Sequence, residues 1–339
     1  MTTFTSDVSS NQGSDLVREQ QPVRRQEQRA DPRPPAYCAD DVDALTAVAR
    51  PGGGAGPRCV PDARTTSVRR WSATIGLVGM GRTGVLLAHA LACAGIGGIK
   101  VDDPRLVDAA DAGLGGHHVD DVGARRATAA AARLRAEYSS TEITVGNVGA
   151  CDLVVLASAH VTNPTGTARL ICEGVPHLSL THGPARAEVG PLVVPGRTAC
   201  LNCVDLHRVD HDPGWRETWR TLRRASVTER TPQPALLTIA AASHAAAMVL
   251  EAVDGGWLER GEEAGRRSAR GTWAMSSARS VSTTLLPDLT TVRDEWDVHP
   301  GCGCTDMAPL AATLPADGTA PPQVQSTAAP PPGTPSRAA

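Results

Sequence analysis

Trp71-Ser-Ala-Thr-Ile-Gly-Leu-Val-Gly79-Met-Gly81-Arg-Thr-Gly84 carries an apolar run into a glycine turn. An Ala- and Leu-rich segment follows to Gly98, and Ile99-Lys-Val-Asp-Asp103 ends a second short apolar run in two aspartates. That order is the layout of a nucleotide-binding βαβ unit, with its glycines at Gly79, Gly81 and Gly84. The first glycine permits the tight turn. The second lets backbone approach a phosphate, and the third brings helix and strand close. The helix N-terminus then offers free N–H groups to an anion. Asp103 lies 24 residues after Gly79, near the roughly 20-residue spacing of a ribose-binding acid.

Around this unit, apolar spacing predicts a helix from Thr83 to Ala94, a strand at Ile99–Val101 and an Ala- and Arg-rich helix from Val122 to Glu137. Arg125 and Arg126 at the start of that helix are phosphate candidates; a solvated helix face is the alternative. Strands are expected at Glu142–Val148 and Asp152–Ser158, the second apolar without alternation, as a buried parallel strand reads. A helix at Pro164–Glu173 and strands at Pro176–His182 and Ala187–Val194 follow. The alternation predicts an α/β, Rossmann-like, mainly parallel sheet with helices on both faces. Leu236–Val253 reads as a long buried helix and Arg270–Leu286 as a hairpin. His182 should point at the nucleotide crevice. His117 and His118 are expected as solvated loop histidines, and Trp215 and Trp219, four apart, as one helix face.

The flanks differ in composition. Residues 1–36 are polar and are expected to be disordered. Residues 37–70 form a short N-terminal segment or linker, with one helix at Asp40–Ala49, too short to support itself. Residues 305–339 are rich in Pro and Ala and are likewise expected to be disordered. Lys100 is the only lysine, and aromatic residues make up 3%, so the core must be built from Ala, Val, Leu and Ile. A net charge of −3 gives no bulk attraction to nucleic acid or anionic membrane. No apolar run approaches the roughly 18 residues of a membrane span. Met1 to Asp7 lacks the pattern of a signal peptide, which points to a cytoplasmic location. The nine cysteines are then thiols or metal ligands rather than disulfides.

Two cysteine pairs stand out. Cys200-Leu-Asn-Cys203 is one knuckle and Cys302-Gly-Cys304 the second, about a hundred residues on. Four thiolates from two knuckles make a closed tetrahedral zinc site, with His299 as a reserve ligand. Small buried hydrophobes or a redox CxxC are the alternatives, and the second leaves the Cys302–Cys304 pair unexplained. His207 and Arg208 are expected to pack the first knuckle.

A Rossmann unit closed by such knuckles resembles the ThiF/MoeB family of ubiquitin-activating-enzyme-like adenylyltransferases, over roughly residues 71–304. More narrowly it looks like a divergent actinobacterial-type ThiF-like group. The carrying segments are Val189-Gly-Pro-Leu-Val-Val-Pro-Gly-Arg-Thr-Ala-Cys200-Leu-Asn-Cys203-Val-Asp-Leu-His207-Arg208, Asp212-Pro-Gly-Trp215 and His299-Pro-Gly-Cys-Gly-Cys304. The resemblance implies a nucleotide-binding domain with a structural zinc and ATP-dependent adenylation of the C-terminus of a precursor peptide or small carrier protein. It also implies a homodimer. Gly79, Gly81 and Gly84 fit the phosphate loop, and Asp103 fits the ribose acid. Arg126 takes the position of the family's phosphate lysine. Other positions depart. The second acid of the family's D-x-D falls on Arg105, and the S-N-L-x-R-Q stretch falls on Ala110 to Gly115, with neither arginine nor glutamine. The Mg²⁺ aspartate falls near Leu156, and an apolar side chain cannot ligate a hard cation. These departures predict a degenerate active site. A non-catalytic leader-peptide or partner-binding scaffold in modified-peptide biosynthesis is the alternative. A dinucleotide-dependent oxidoreductase is compatible with the glycines but leaves the cysteine pairs without a role.

Overall fold

The computed structural model describes residues 63–113, 115–183, 185–228, 231–255 and 280–305. The expectations for residues 1–36, for the Asp40–Ala49 helix and for the tail after residue 305 lie outside the described residues.

One eight-stranded sheet organises the chain. Its strands are β1 (Thr74–Val78), β2 (Gly98–Asp102), β3 (Glu142–Val145), β4 (Leu153–Ala159), β5 (His177–His182), β6 (Ala187–Val193), β7 (Ser280–Leu285) and β8 (Thr291–Trp296). The spatial order is β3-β2-β1-β4-β5-β6-β7-β8. The first five are parallel, pairing Ile75 with Ile99 and with Leu153, and Leu156 with Ser179. The last three join antiparallel. The helices are α1 (Ala63–Ser72), α2 (Arg82–Cys93), α3 (Arg126–Glu137), α4 (Pro164–Cys172), α5 (Leu201–His211), α6 (Trp215–Thr228) and α7 (Ala235–Asp254).

Alternation along each strand divides the core in two. Ile75, Leu77, Ile99, Val101, Val155, Leu178, Leu180 and Val189 bury one face against α2, α3 and α7. Val154 and Leu156 bury the other against Leu170 of α4. With almost no aromatics, close approach is achieved by alanines: Ala88 and Ala92 of α2 meet Ala241, Ala245 and Ala252 of α7. Arg70 of α1 ties that helix to the end of α7 through a two-pronged ion pair with Asp254, at 2.9 and 2.7 Å.

Several expectations are corrected. Trp71 belongs to α1, and β1 starts at Thr74. The helix expected from Val122 starts at Arg126, because Gly123 adopts φ +91 and breaks the backbone path. The strand expected to reach Val148 stops at Val145, ahead of Gly146 at φ +135. The hairpin lies further on: Ser280–Leu285 pairs with Thr291–Trp296, whose strand is polar because it forms the sheet edge. Residues 270–279 of the expected hairpin lie outside the described residues. A run of membrane-spanning length does exist. Ala235–Asp254 has 20 residues with mean hydropathy 1.7 and is long and apolar enough to cross a bilayer. It is half buried and packs on α2 and the sheet, as the core helix of a folded domain does.

Candidate functional site

The crevice lies at the C-terminal ends of β1, β2 and β4, where the strand order reverses. Each glycine there answers to a different constraint. Gly79 turns the chain at φ +95, its N–H donates to the Asp102 carbonyl at 2.9 Å, and a Cβ would overlap the Ala157 carbonyl oxygen. At Gly84 a Cβ would overlap the Gly79 carbonyl oxygen, so the first turn of α2 sits hard on the loop. Gly81 is the N-cap of α2 and caps it with no side chain. The space over it is open to 3.7 Å, where Asp111 Oδ1 comes first, followed by Arg126 Nη1 and Gln233 Nε2 at 3.9 Å. First-turn N–H groups have no partner inside a helix, so this end of α2 favours an anion.

Asp103 lies in the crevice but is already engaged. It is 3% exposed. Its Oδ2 accepts from the Met80 amide at 2.8 Å and from Arg105 Nη2 at 2.9 Å; its Oδ1 accepts from the Arg105 amide at 3.0 Å and Nε at 2.9 Å. Burial on its own would raise the Asp103 pKa. The Arg105 hydrogen bonds and charge, with the Met80 amide, outweigh burial and hold the carboxyl below the usual carboxylate range. Arg126 is equally committed. It bonds Asp111 through Nη2 at 2.6 Å and Nε at 2.8 Å, with Asp103 at 3.6 Å and Asp108 at 3.9 Å. Leu156 is buried in the apolar cluster with Val154 and Leu170, and its side chain offers no oxygen to a cation.

Sequence reasoning missed the residues that fill the crevice mouth. Thr83, in the first turn of α2, lies 2.7 Å from His182 Nε2 and donates to Gln233 Oε1 at 3.3 Å. Arg82 Nη1 donates to the Gln233 carbonyl at 3.2 Å. His182 does reach the crevice, as its place at the end of β5 suggested, and burial pushes its pKa down to about 4. His117 is not solvated. It is buried, with Nε2 2.7 Å from the Met80 carbonyl, whereas His118 is exposed. Arg125 reaches the Pro104 carbonyl rather than the cradle.

The cysteines converge. Cys200 Sγ lies 3.8 Å from Cys203 and 3.5 Å from Cys302, and Cys203 lies 3.5 Å from Cys304. All four sulfurs fall within 4.8 Å of one another. A zinc tetrahedron with Zn–S near 2.3 Å has S···S edges of about 3.8 Å, so the cluster has the dimensions to hold a metal ion. The Cys200–Cys203 hydrogen bond holds the Cys203 thiol down at about 4 and the Cys200 thiol far up; burial pushes Cys304 up to about 12. Three buried sulfurs and a half-buried fourth, drawn this close, are suited to a dication. His299 is not among them. Its Nε2 meets Asp210 at 2.9 Å, and its Nδ1 accepts from the Gly301 amide in the second knuckle. His207 bonds the Asp297 carbonyl, and Arg208 pairs with Glu188 at 2.7 Å.

On the sheet face opposite α7, a cavity of about 520 Å³ opens between α4, α5 and α6. Ser179, Thr181 and Glu188 form its floor, with Arg208, Trp215 and Trp219 above. The two indoles do lie on one helix, α6.

Residues 62–162 match the model of the ThiF family. No curated protein matches the sequence. The fold is similar to E. coli MccB solved with AMPCPP and selenomethionine MccA, at 17% identity and TM-score 0.55, covering 72% of this chain and 70% of that one. It is similar to the microcin C7 biosynthetic enzyme MccB in complex with N-formylated MccA, at 16% identity and TM-score 0.53, covering 72% and 71%. PaaA is a third neighbour, at 15% identity and TM-score 0.54, covering 76% of this chain and 82% of PaaA.

Proposed function

We propose that this chain, which carries a ThiF-family segment at residues 62–162, engages the C-terminus of a precursor peptide or small carrier protein and has a degenerate site for ATP-dependent adenylation. The ThiF match supports the reaction class. The fold neighbour MccB, solved with AMPCPP and with MccA, supports the pairing of a nucleotide with a partner chain. The observation that carries the degenerate part is the Arg105 guanidinium lying on Asp103, which fills the acceptor positions a ribose would use. The open cradle at Gly81 fits a phosphate. Leu156 gives Mg²⁺ no ligand, and Asp111 brings a carboxylate beside the cradle. Phosphate arginines and a metal ligand neutralise charge as it develops in the transition state, and losing them costs several kcal/mol of barrier.

ATP–pyrophosphate exchange with Mg²⁺ and candidate peptides tests this reading. Exchange is expected to be absent or far below the median enzyme turnover of about 10 s⁻¹. Exchange near that rate, abolished by Asp103→Ala, overturns the degenerate site. The 520 Å³ cavity favours the second reading, a leader-peptide or partner-binding scaffold without turnover; peptide binding that is unchanged without nucleotide supports it. A structural zinc on Cys200, Cys203, Cys302 and Cys304, homodimerisation, a cytoplasmic setting and a domain spanning residues 71–304 belong to the same proposal.

A further inference from the structure

We infer that Gln233 is an internal occupant of the nucleotide cradle, which an incoming phosphate must displace. Gln233 thereby sets the affinity of the cradle. This rests on the reading of the crevice as a nucleotide site and adds what regulates it.

Gln233 lies 150 residues beyond Thr83, in the segment that leads from α6 into α7. Pro234 is the N-cap of α7 and starts that 20-residue helix. Thr231 is held from the other side, 3.0 Å from His160 Nε2 at the end of β4. Between these anchors the glutamine is laid across the start of α2. Its two oxygens take donors that face the cradle. Oε1 accepts from the Thr83 hydroxyl, and the backbone carbonyl accepts from Arg82. Its amide nitrogen stands 3.9 Å from where a Gly81 Cβ would be, beside Asp111. An oxygen acceptor at a helix N-terminus and on an arginine is what a phosphate oxygen would provide there.

The donor relay is consistent with this role. Buried His182 is neutral, so its Nε2–H can donate to Thr83 Oγ1, leaving the Thr83 proton for an acceptor in the cradle. Gln233 is that acceptor here. A phosphate oxygen is a stronger one, because a charged partner roughly doubles such a bond. Gln233 is only half-buried, so it can leave without disturbing the core. Asp111 stays in place when Gln233 leaves, because its Oδ2 is held by Arg126 while Oδ1 faces the space over Gly81.

The test is AMPCPP and ATP binding by isothermal titration on the full chain and on Gln233→Ala. The variant removes the side-chain acceptor and leaves the backbone carbonyl that Arg82 uses. Losing a competitor worth one ordinary hydrogen bond is expected to lower Kd by about three- to tenfold. In the unaltered chain, AMPCPP is expected to speed hydrogen exchange at the Thr231 and Gln233 amides, which flank a proline, while slowing it at the start of α2. Equal or weaker binding by Gln233→Ala overturns the inference and leaves the nucleotide reading intact. Failure of both proteins to bind either nucleotide overturns the nucleotide reading and the inference with it. Thr83→Val supplies a further check: it removes the hydroxyl that Gln233 and a phosphate would share, so it should erase the gain when combined with Gln233→Ala. A gain that persists in the double variant also overturns the inference.

Discussion

Arg105 lies flat on Asp103, with Nε 2.9 Å from Oδ1 and Nη2 2.9 Å from Oδ2. Two residues that the family pattern would make a pair of acids have become an acid with its own counter-ion. Asp103→Asn leaves the shape and weakens the charge-assisted bonds from Arg105 and Met80. Urea unfolding is expected to show a loss of about 2 kcal/mol. The folded-state pKa of Asp103 lies below the unfolded one. Its contribution is therefore complete above the ordinary carboxylate range and is lost as pH falls through that range toward the folded value. An unchanged unfolding midpoint in Asp103→Asn at pH 7 would sink this assignment.

The three glycines should separate cleanly. Gly79→Ala meets both a positive φ and the Ala157 carbonyl, and Gly84→Ala meets the Gly79 carbonyl. Backbone atoms cannot move aside as side chains can, so each substitution is expected to cost about 3 kcal/mol or more. Among the described residues Gly81→Ala meets nothing closer than 3.7 Å. It should keep the unfolding midpoint within about 1 kcal/mol while weakening AMPCPP binding. Comparable destabilisation by all three would show that the cradle is not open at Gly81.

Local chemistry made the glycine loop, the apolar strands and the cysteine pairs legible in the sequence. Each is a short pattern whose meaning does not depend on distant residues. What fills the crevice was not legible. Gln233 reaches Thr83 across 150 positions, and nothing within its own stretch marks it for that contact. Arg105 was visible as a departure from an acid, but its fold-back onto Asp103 depends on the turn after β2. The edge strand Thr291–Trp296 escaped because only one side pairs and most of its residues face water. Helix α1 escaped because its outer surface is polar and its tie to the fold is an ion pair rather than an apolar stripe.

That tie can be measured. Arg70 is 5% exposed, and it also donates to the Ala94 carbonyl at 3.0 Å. Arg70→Ala strands the Asp254 carboxylate at the end of α7, and breaking one side of such a buried pair costs about 3 kcal/mol. Asp254→Asn added to Arg70→Ala should recover part of the loss, because no unpaired charge then remains. A double variant no more stable than Arg70→Ala would count against the pair as the reason α1 docks.

Metal content tests the knuckles. The purified protein is expected to hold one zinc per chain. Cys200→Ser or Cys304→Ser should leave less than half an equivalent and lower the melting temperature, since metal binding and folding are linked at such sites. His299→Ala should keep the zinc, because that ring faces Asp210 rather than the sulfurs. Loss of zinc in His299→Ala together with retention in Cys304→Ser would replace the four-cysteine set by the reserve ligand.

Two buried histidines set a second pH window, distinct from that of Asp103. His177 and His182 are 0% and 1% exposed, and burial lowers each pKa from 6.5 to about 4. Among the described residues His182 Nδ1 and His177 Nε2 have no hydrogen-bond partner, so neither ring finds a ready acceptor there for a second proton. The unfolded chain binds protons on these residues below pH 6.5 and the folded chain does not. Stability is therefore full above that value and falls as pH drops from 6.5 toward 4. Each ring should account for about 2.5 kcal/mol of loss by pH 4.5. Carboxylates contribute mainly below this window, so the two effects can be told apart by variants. The gap between urea midpoints at pH 7 and pH 4.5 is expected to shrink when His177→Gln and His182→Gln are combined. His89 and His244, whose pKa values burial also lowers, keep the remainder. If the double variant loses as much stability over that interval as the unaltered chain, these rings are not the acid-sensitive groups of the fold.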